Sequence, residues 1–403
     1  MQEHKAGNSL IETRRKNRAL IKNTIFRTPD ATRTGVAKEL GLTLATLSTS
    51  VSEMIAEGIL QETERTENSG RTGSGRKALK VVFLPAAALA VGIDLGPYET
   101  RGILMDLGGN VLRELSQPAE RYSYDRMLSS VEQLIRRLVS GCTAEEEKHI
   151  CGVAVGVPGV VETVSGRIRA TACRSWEGHT LAGDLAERIS FPVEVDNNVR
   201  MRAYGYEMTR DSKEQLFAYL YVSRGIACPV IFGREVISGM MFGAGELGHA
   251  AVSEKPGILG PRRTLNESAS EFGIFYECQR RMFEGMCSPL RQALSEKGIL
   301  TAGLLTALQA EGDHEINDIV HGAVQELGTG AAGVINLLNP ESLVVDGALF
   351  SDGSNRRVLE EAVAAGVYAL QPDEIRVRFL EKDPLRGARG AAYRMLQLGF
   401  LDA

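Results

Sequence analysis

No run of this 403-residue chain approaches 18 uncharged apolar residues, so the sequence offers no candidate membrane span. Its first ten residues, MQEHKAGNSL, lack the apolar core of a secretory signal. Six cysteines (Cys142, Cys151, Cys173, Cys228, Cys278, Cys287) are scattered without a single CxxC pair. That usage suits reduced thiols in a cytoplasm and argues against a disulfide frame or a cysteine-built metal site. What the chain does have is a division of charge. Residues 1–82 carry 14 Lys and Arg against 9 Asp and Glu, and the rest carries 32 against 42, so a net −5 averages a basic and an acidic body. A basic module docks on a polyanion that an acidic one would avoid.

The basic end has helical patterning. In NRALIKNTIF (17–26), Leu20, Ile21, Ile25 and Phe26 share a face until Pro29 and Asp30 break it. Val36, Ala37 and Leu40 make a second short apolar face, Gly41 supplies a turn, and Thr43 is placed to cap the next helix. There Leu47, Val51, Met54 and Ile55 face inward, leaving Ala45, Thr46, Thr49 and Ser52 outward. Helix, short turn, helix is the geometry that sets a second helix in a major groove, where methyls and hydroxyls meet base edges. A strand from Leu60, the polar, glycine-rich segment ETERTENSGRTGSGR (62–76) and a returning LKVVFL form a hairpin whose tip carries Arg71, Arg76 and Lys77. We expect DNA contacts from Thr43, Ala45, Thr46 and Thr49 and from this wing, whose basic residues suit phosphate or the minor groove. Two plainer readings stay open: a three-helix protein-binding module, and a wing tip that is only a solvated loop.

Beyond residue 85 apolar strands alternate with helices and end in polar groups. ALAVGIDLG (88–96), RGILMDLGG (101–109), ICGVAVGVPG (150–159), FPVEVDNN (191–198) and LFAYLYVS (216–223) are such strands. A helix within 119–140 repeats Met127, Val131, Leu134, Ile135 and Leu138. The pattern predicts an α/β body with a site at the carboxyl edge of a sheet.

The order GIDLG, DLG, GVAVGVPGVVETVSG, VEVDNNV, GAGELGH and INLLNPESLVVDG resembles the ROK family of sugar kinases and sugar-responsive repressors, over about residues 85–398. With the winged helix-turn-helix in front, the whole chain is similar to the repressor branch, of the xylose and N-acetylglucosamine type. The resemblance implies an actin/hexokinase-like ATPase fold of two α/β lobes. It implies domains at 1–82 (DNA-binding), 83–198 completed by a returning C-terminal helix at 385–403 (first lobe), and 199–384 (second lobe, with a dimerisation surface). Residues 78–88, with Pro85, would link the DNA-binding end to the body.

Three departures mark this chain off from the family's kinases. Their catalytic base is an aspartate where Asn198 stands, and an amide does not accept a hydroxyl proton. Asp196, on a continuing strand, would point to the same side but sit about 6 Å or more away. The kinases' glycine-rich phosphate loop is replaced by SRGIACP (223–229), where Pro229 lacks an N–H and Ala227 and Pro229 stand for glycines. After His249 the family's zinc cysteines are missing, so no metal is expected. Asp94 reads either as a remnant of phosphate and metal chemistry or as a structural strand-end carboxylate. The resemblance implies sugar contacts from Asn197, Asn198, Glu246 and His249, with Asn266 where the family has a glutamate and Pro158 and Gly159 shaping the loop behind. Arg224 is either an anion partner or a surface salt bridge.

These readings lead us to expect a cytoplasmic homodimer or homotetramer that binds double-stranded operator DNA under control of a sugar or sugar-derivative effector, with no cofactor, no catalysis and no membrane partner. An active sugar kinase and a ligand-independent dimer scaffold are the alternatives. Ligand closure would change the spacing of paired winged helices.

Overall fold

The computed structural model describes residues 4–64, 79–210, 214–258, 260–371 and 374–403. The chain forms two compact units, one built from Met1–Gly205 with Leu385–Ala403 and the other from Tyr206–Pro384.

The first unit opens with helices α1 (His4–Arg27), α2 (Arg33–Leu40) and α3 (Leu44–Ala56), then the antiparallel strands β1 (Leu60–Thr63) and β2 (Lys80–Phe83). Thr32 caps α2 by accepting the Gly35 N–H, and Gly41 ends it at φ 65°. Ile21, Ile25, Val36, Leu47, Val51 and Met54 form the core beneath. Two expectations change here. The first helix begins at His4 rather than near Asn17, and Leu20 is exposed although its spacing put it on the apolar face. The inward stripe is Ile21 and Ile25, and the neighbouring Lys22 and Thr24 are buried as well, so α1 is covered on more than one side.

Next come β3 (Leu89–Leu95), β4 (Glu99–Asp106), β5 (Val111–Pro118), α4 (Tyr124–Val139), α5 (Ala144–Lys148) and β6 (Ile150–Val157). They are followed by a hairpin of β7 (Val160–Glu162) and β8 (Arg167–Ala170), then α6 (Leu181–Ala186), β9 (Val193–Asn197) and α7 (Asn198–Thr209). The sheet runs β5-β4-β3-β6-β9, antiparallel across its first three strands and parallel from β3 through β6 to β9. β3 and most of β6 are buried, as strands covered on both faces must be, while edge strand β5 alternates between half-buried and exposed residues. α4 buries Met127, Val131, Leu134, Ile135 and Leu138 at the expected spacing.

The second unit holds β10 (Leu216–Val222), β11 (Ile226–Ala227), β12 (Val230–Phe232), β13 (Glu235–Val236), β14 (Ala251–Ser253) and β15 (Arg263–Thr264). Helices α8 (Leu265–Ala269), α9 (Glu271–Phe283), α10 (Ser288–Lys297), α11 (Ala302–Ala310) and α12 (His314–Leu338) precede β16 (Ser342–Gly347), α13 (Gly353–Gly366) and β17 (Val377–Phe379). Its main sheet runs β13-β12-β10-β16-β17, with β16 parallel to both β10 and β17.

α14 (Arg386–Leu396) returns to the first unit, buries Ala388, Ala391 and Ala392, and runs into a π-helical turn at Gln397–Leu401. It crosses α7 glycine to glycine. A Cβ on Gly390 would lie 1.8 Å from the Met201 carbonyl oxygen, so no larger residue fits at the crossing. Among the described residues no helix is long and apolar enough to cross a membrane.

Candidate nucleic-acid interface and effector site

The outward face of α3 is set by its cap. The Thr43 hydroxyl accepts the Thr46 N–H at 3.1 Å and meets the Thr46 hydroxyl at 2.9 Å. Thr43, Ala45, Thr46 and Thr49 are all exposed, joined by Leu44, which the sequence did not single out. Thr49 returns its hydroxyl to the Ala45 carbonyl at 3.1 Å, leaving its methyl group and oxygen lone pairs outward. Acidic groups at the far end of α3 are neutralised by α1: Arg14 meets Glu53 at 2.6 Å, and Arg18 meets Glu57 at 2.9 Å and holds that carboxyl below its usual range. Arg33 bonds Ser52 at 3.0 Å and Glu62 at 2.7 Å, tying α3 to the first wing strand. The predicted wing residues Arg71, Arg76 and Lys77 lie outside the described residues.

In the first unit, parallel pairing sets Val157 beside Asn197, so Pro158 and Gly159 follow β6 next to the residues that follow β9. Gly159 has φ 113°, and a Cβ there would stand 2.1 Å from the Ala170 carbonyl oxygen, so only glycine fits the turn. Asn197 is a structural hub. Its Oδ1 accepts the Val199 and Arg200 N–H groups at 2.8 and 3.0 Å, capping α7, and its Nδ2 donates to the Gly159 carbonyl at 2.7 Å. The sequence predicts a strand that continues through Asn198, but α7 starts there instead, because the cap turns the chain. Asn198 is buried, and its amide has no hydrogen-bond partner among the described residues. Asp196 is also buried and pairs with Arg200 at 3.3 Å; burial pushes its carboxyl above the usual range, and Arg200 works against that.

In the second unit, Glu246 and His249 flank a single 3₁₀ turn, with the imidazole exposed and 3.9 Å from the Glu246 carboxylate. Asn266, at the start of α8, turns its Oδ1 to the Ile226 N–H at 2.8 Å. Gly248 permits this approach, since a Cβ there would lie 2.2 Å from the same oxygen. Asn266 therefore buttresses the loop at 223–229.

That loop is a hairpin, with Ile226 paired to Val222 and Ala227 to Tyr221. Ser223 N–H bonds the Gly225 carbonyl at 3.0 Å, Ile226 N–H bonds Asn266, and Cys228 N–H bonds the Gly245 carbonyl at 2.6 Å. Pro229 has no N–H to give. Three of the loop's N–H groups are thus already engaged within the unit, and Pro229 removes another. Arg224 is exposed at its tip. Among the described residues no three His, Cys, Asp or Glu side chains are placed to hold a metal ion. A cavity of about 490 Å³ does occur in the second unit, lined by Gln309, Asn317, His321 and Arg357 among others, and none of the predicted site residues lines it.

Sequence reasoning missed Arg200 and Arg202. Both are buried, although a charged pair in NVRMRAYGY ordinarily marks a solvated face. The available signal was that they alternate with Val199, Met201 and Ala203, which leaves the helix no single polar side.

Residues 90–397 match the ROK family. Over 88% of its length the chain is 24% identical to the xylose repressor of Caldicellulosiruptor bescii, covering 90% of that protein. It is also 24% identical to the glucokinase of Halalkalibacterium halodurans, over 65% of this chain and 81% of that one. The crystal structure of a ROK family transcriptional regulator, a homologue of the E. coli MLC protein, matches with a TM-score of 0.79 at 19% identity, over 96% of this chain and 98% of that one. This likeness shows the fold: an actin/hexokinase-like α/β body behind an N-terminal winged helix-turn-helix.

Proposed function

Since the chain belongs to the ROK family, we propose that it is a DNA-binding transcriptional regulator, a repressor whose hold on operator DNA is set by a sugar or sugar derivative and whose kinase-like body does not transfer phosphate. The observation that carries this reading is the exposed face of α3. Thr43, Ala45, Thr46 and Thr49 present small methyls and hydroxyls, and the acidic Glu53 and Glu57 behind them are paired with Arg14 and Arg18. Such a face approaches a major groove closely without a charge penalty. Similarity to the xylose repressor extends over 88% of the chain and similarity to the glucokinase over 65%, which favours regulation over conversion.

A neutral amide in the first unit, and a carboxylate and an imidazole in the second, are each suited to sugar hydroxyls. Candidates are Asn198 in the first unit, shaped by Asn197, Pro158 and Gly159, and Glu246 and His249 in the second, with Asn266 bracing the loop behind. A homodimer or homotetramer would span paired half-sites about one helical turn or a multiple apart. The amide at Asn198 and the engaged loop donors together speak against turnover. Operator footprinting repeated with a panel of sugars and sugar phosphates tests the reading. It expects a protected site whose occupancy changes with one specific compound. Rapid ADP release in the presence of a sugar would replace this reading with the kinase one.

A further inference from the structure

Asp94, Gly156 and Asp196 stand in one row across β3, β6 and β9. Residues in register on neighbouring strands leave the sheet on the same face, so both carboxylates point to one side near the carboxyl edge. Both are nearly sealed, Asp94 at 3% and Asp196 at 4% exposure. A charge that far from water needs a cation beside it.

Helix α7 supplies both cations from its own first turns. Arg202 Nη2 donates to Asp94 Oδ2 at 2.8 Å, and Arg200 Nη1 donates to Asp196 Oδ1 at 3.3 Å. On its other side Asp94 Oδ2 lies against the first turn of α14, where a Cβ on Gly387 would come within 2.0 Å of it. The start of a helix favours an anion at that place. Asp94 Oδ2 is thus held between a guanidinium and a helix start, all within one unit, while Oδ1 is buried without a hydrogen-bond partner among the described residues.

Phosphoryl transfer from a nucleotide depends on divalent metal held by carboxylates close to the phosphates. Asp94 is the strand-end carboxylate that could have served, but its Oδ2 is already taken by Arg202. We propose that Arg202 is the resident cation of this sheet edge. It holds Asp94 Oδ2 in place of a metal ion and makes the carboxylate a structural anion that ties β3 to α7 and α14. The inference rests on the non-converting reading of the body, but its test reads metal binding and stability rather than DNA.

Two roles for Asp94 predict opposite signs. A carboxylate kept for an absent metal is a liability in the metal-free chain, so Asp94→Asn would leave it as stable or make it more so. A carboxylate paired with Arg202 takes an ionic partner from a buried guanidinium when removed, so Asp94→Asn should lower the melting temperature by on the order of 5–10 °C. The double variant Asp94→Asn/Arg202→Met removes both charges and should recover most of that loss. Millimolar Mn²⁺, with or without ADP, should shift the melting temperature of the full wild-type chain no more than that of Asp94→Asn. An unchanged or raised melting temperature in Asp94→Asn, a double variant no better than the single one, or a Mn²⁺ shift that requires Asp94 would each overturn the proposal. Failure of the wild-type chain to bind operator DNA, with the pair's coupling intact, would instead count against the regulatory reading alone.

Discussion

The Lys22 ammonium, in the first helix, lies 4.9 Å from the centroid of the Phe400 ring, at the other end of the chain, and donates to the Phe400 and Ala403 carbonyl oxygens. Around this contact Asn23 donates to the Leu401 carbonyl at 3.3 Å and to Asp402 at 2.9 Å, and Gln397 donates to Asn23 at 3.0 Å. The Phe400 ring meets Phe83 of β2 edge-on at 6.1 Å, and Phe83 meets Phe26 of α1 at 6.3 Å. The N-terminal module of α1–α3 with β1 and β2 is therefore gripped by the segment that follows α14, as well as being joined through Pro85–Ala87. α14 in turn crosses α7, whose first residue is Asn198, a candidate effector amide. A continuous packed route thus exists from Asn198 to α1 inside one unit.

Phe400→Ala removes the cation–π contact and one of the two edge-on aromatic contacts of Phe83. Phe400 is only half-buried, so the cost should fall below that of a full core phenylalanine, at about 2 kcal/mol. Chemical denaturation measures it. Amide hydrogen exchange in α1 and β2 should rise in the variant, while α12, in the other unit, should stay as protected as in the wild type.

Lys22 gives the grip a pH dependence. Burial, helped by nearby Arg18, pushes its amine down from an ordinary 10.5 to about 8. Below pH 8 the amine is protonated in both folded and unfolded chains, and the full cost of burying the charge is present. Between pH 8 and 10.5 the folded chain has released a proton that the unfolded chain still holds, so the wild type gains stability as pH rises. Lys22→Met has no such group. Denaturation curves of the two proteins at pH 7.5 and pH 10 should show the wild type gaining relative to the variant. A constant difference across that range would contradict the shift.

Much of this architecture is legible in the sequence because it is local. The α4 stripe from Met127 to Leu138, the Thr43 cap and the apolar runs ending in Asp94 and Asn197 each follow from spacing over a few residues. What escaped depends on distant partners. Leu20 faces water because burial on α1 is divided between Ile21 and Ile25 inside and Lys22 against the chain's far end. Arg200 and Arg202 are buried because strand-end carboxylates await them, one of them 108 residues earlier in the chain. Asn197 read as a sugar-facing amide, but its oxygen caps α7, a use that a helix starting one residue later would have signalled.

The exposed hydroxyls of α3 separate recognition from stability. Thr46→Ala removes an exposed side chain whose hydroxyl meets that of Thr43, and should lower the melting temperature only slightly, yet weaken operator binding roughly 5- to 100-fold if the hydroxyl or methyl reads a base. Thr43→Ala should do both, because it also strips the cap from α3 at a cost of about 1 kcal/mol. Ala45→Glu places a carboxylate in the same face and should abolish binding through repulsion by the phosphates. Gel shifts at fixed salt, paired with thermal melts, read the three variants. Equal operator affinity across all of them would remove α3 as the reading helix.

Asn198→Asp asks whether one lost carboxylate is all that separates this body from a kinase. The substitution places a carboxyl group at the start of α7, where the helix dipole favours its charged form and burial opposes it. Acid–base chemistry alone does not transfer a phosphoryl group, since the phosphates must also be held in line and their charge offset. The loop at 223–229 offers little of this, with the N–H groups of Ser223, Ile226 and Cys228 bonded within the unit and Pro229 lacking one. Asp94 is bonded to Arg202. ADP release by Asn198→Asp with any sugar in the panel should therefore stay at the background of the wild type. Turnover appearing on this single change would mean that the loop reopens when nucleotide arrives, and that the amide alone keeps the chain from catalysis.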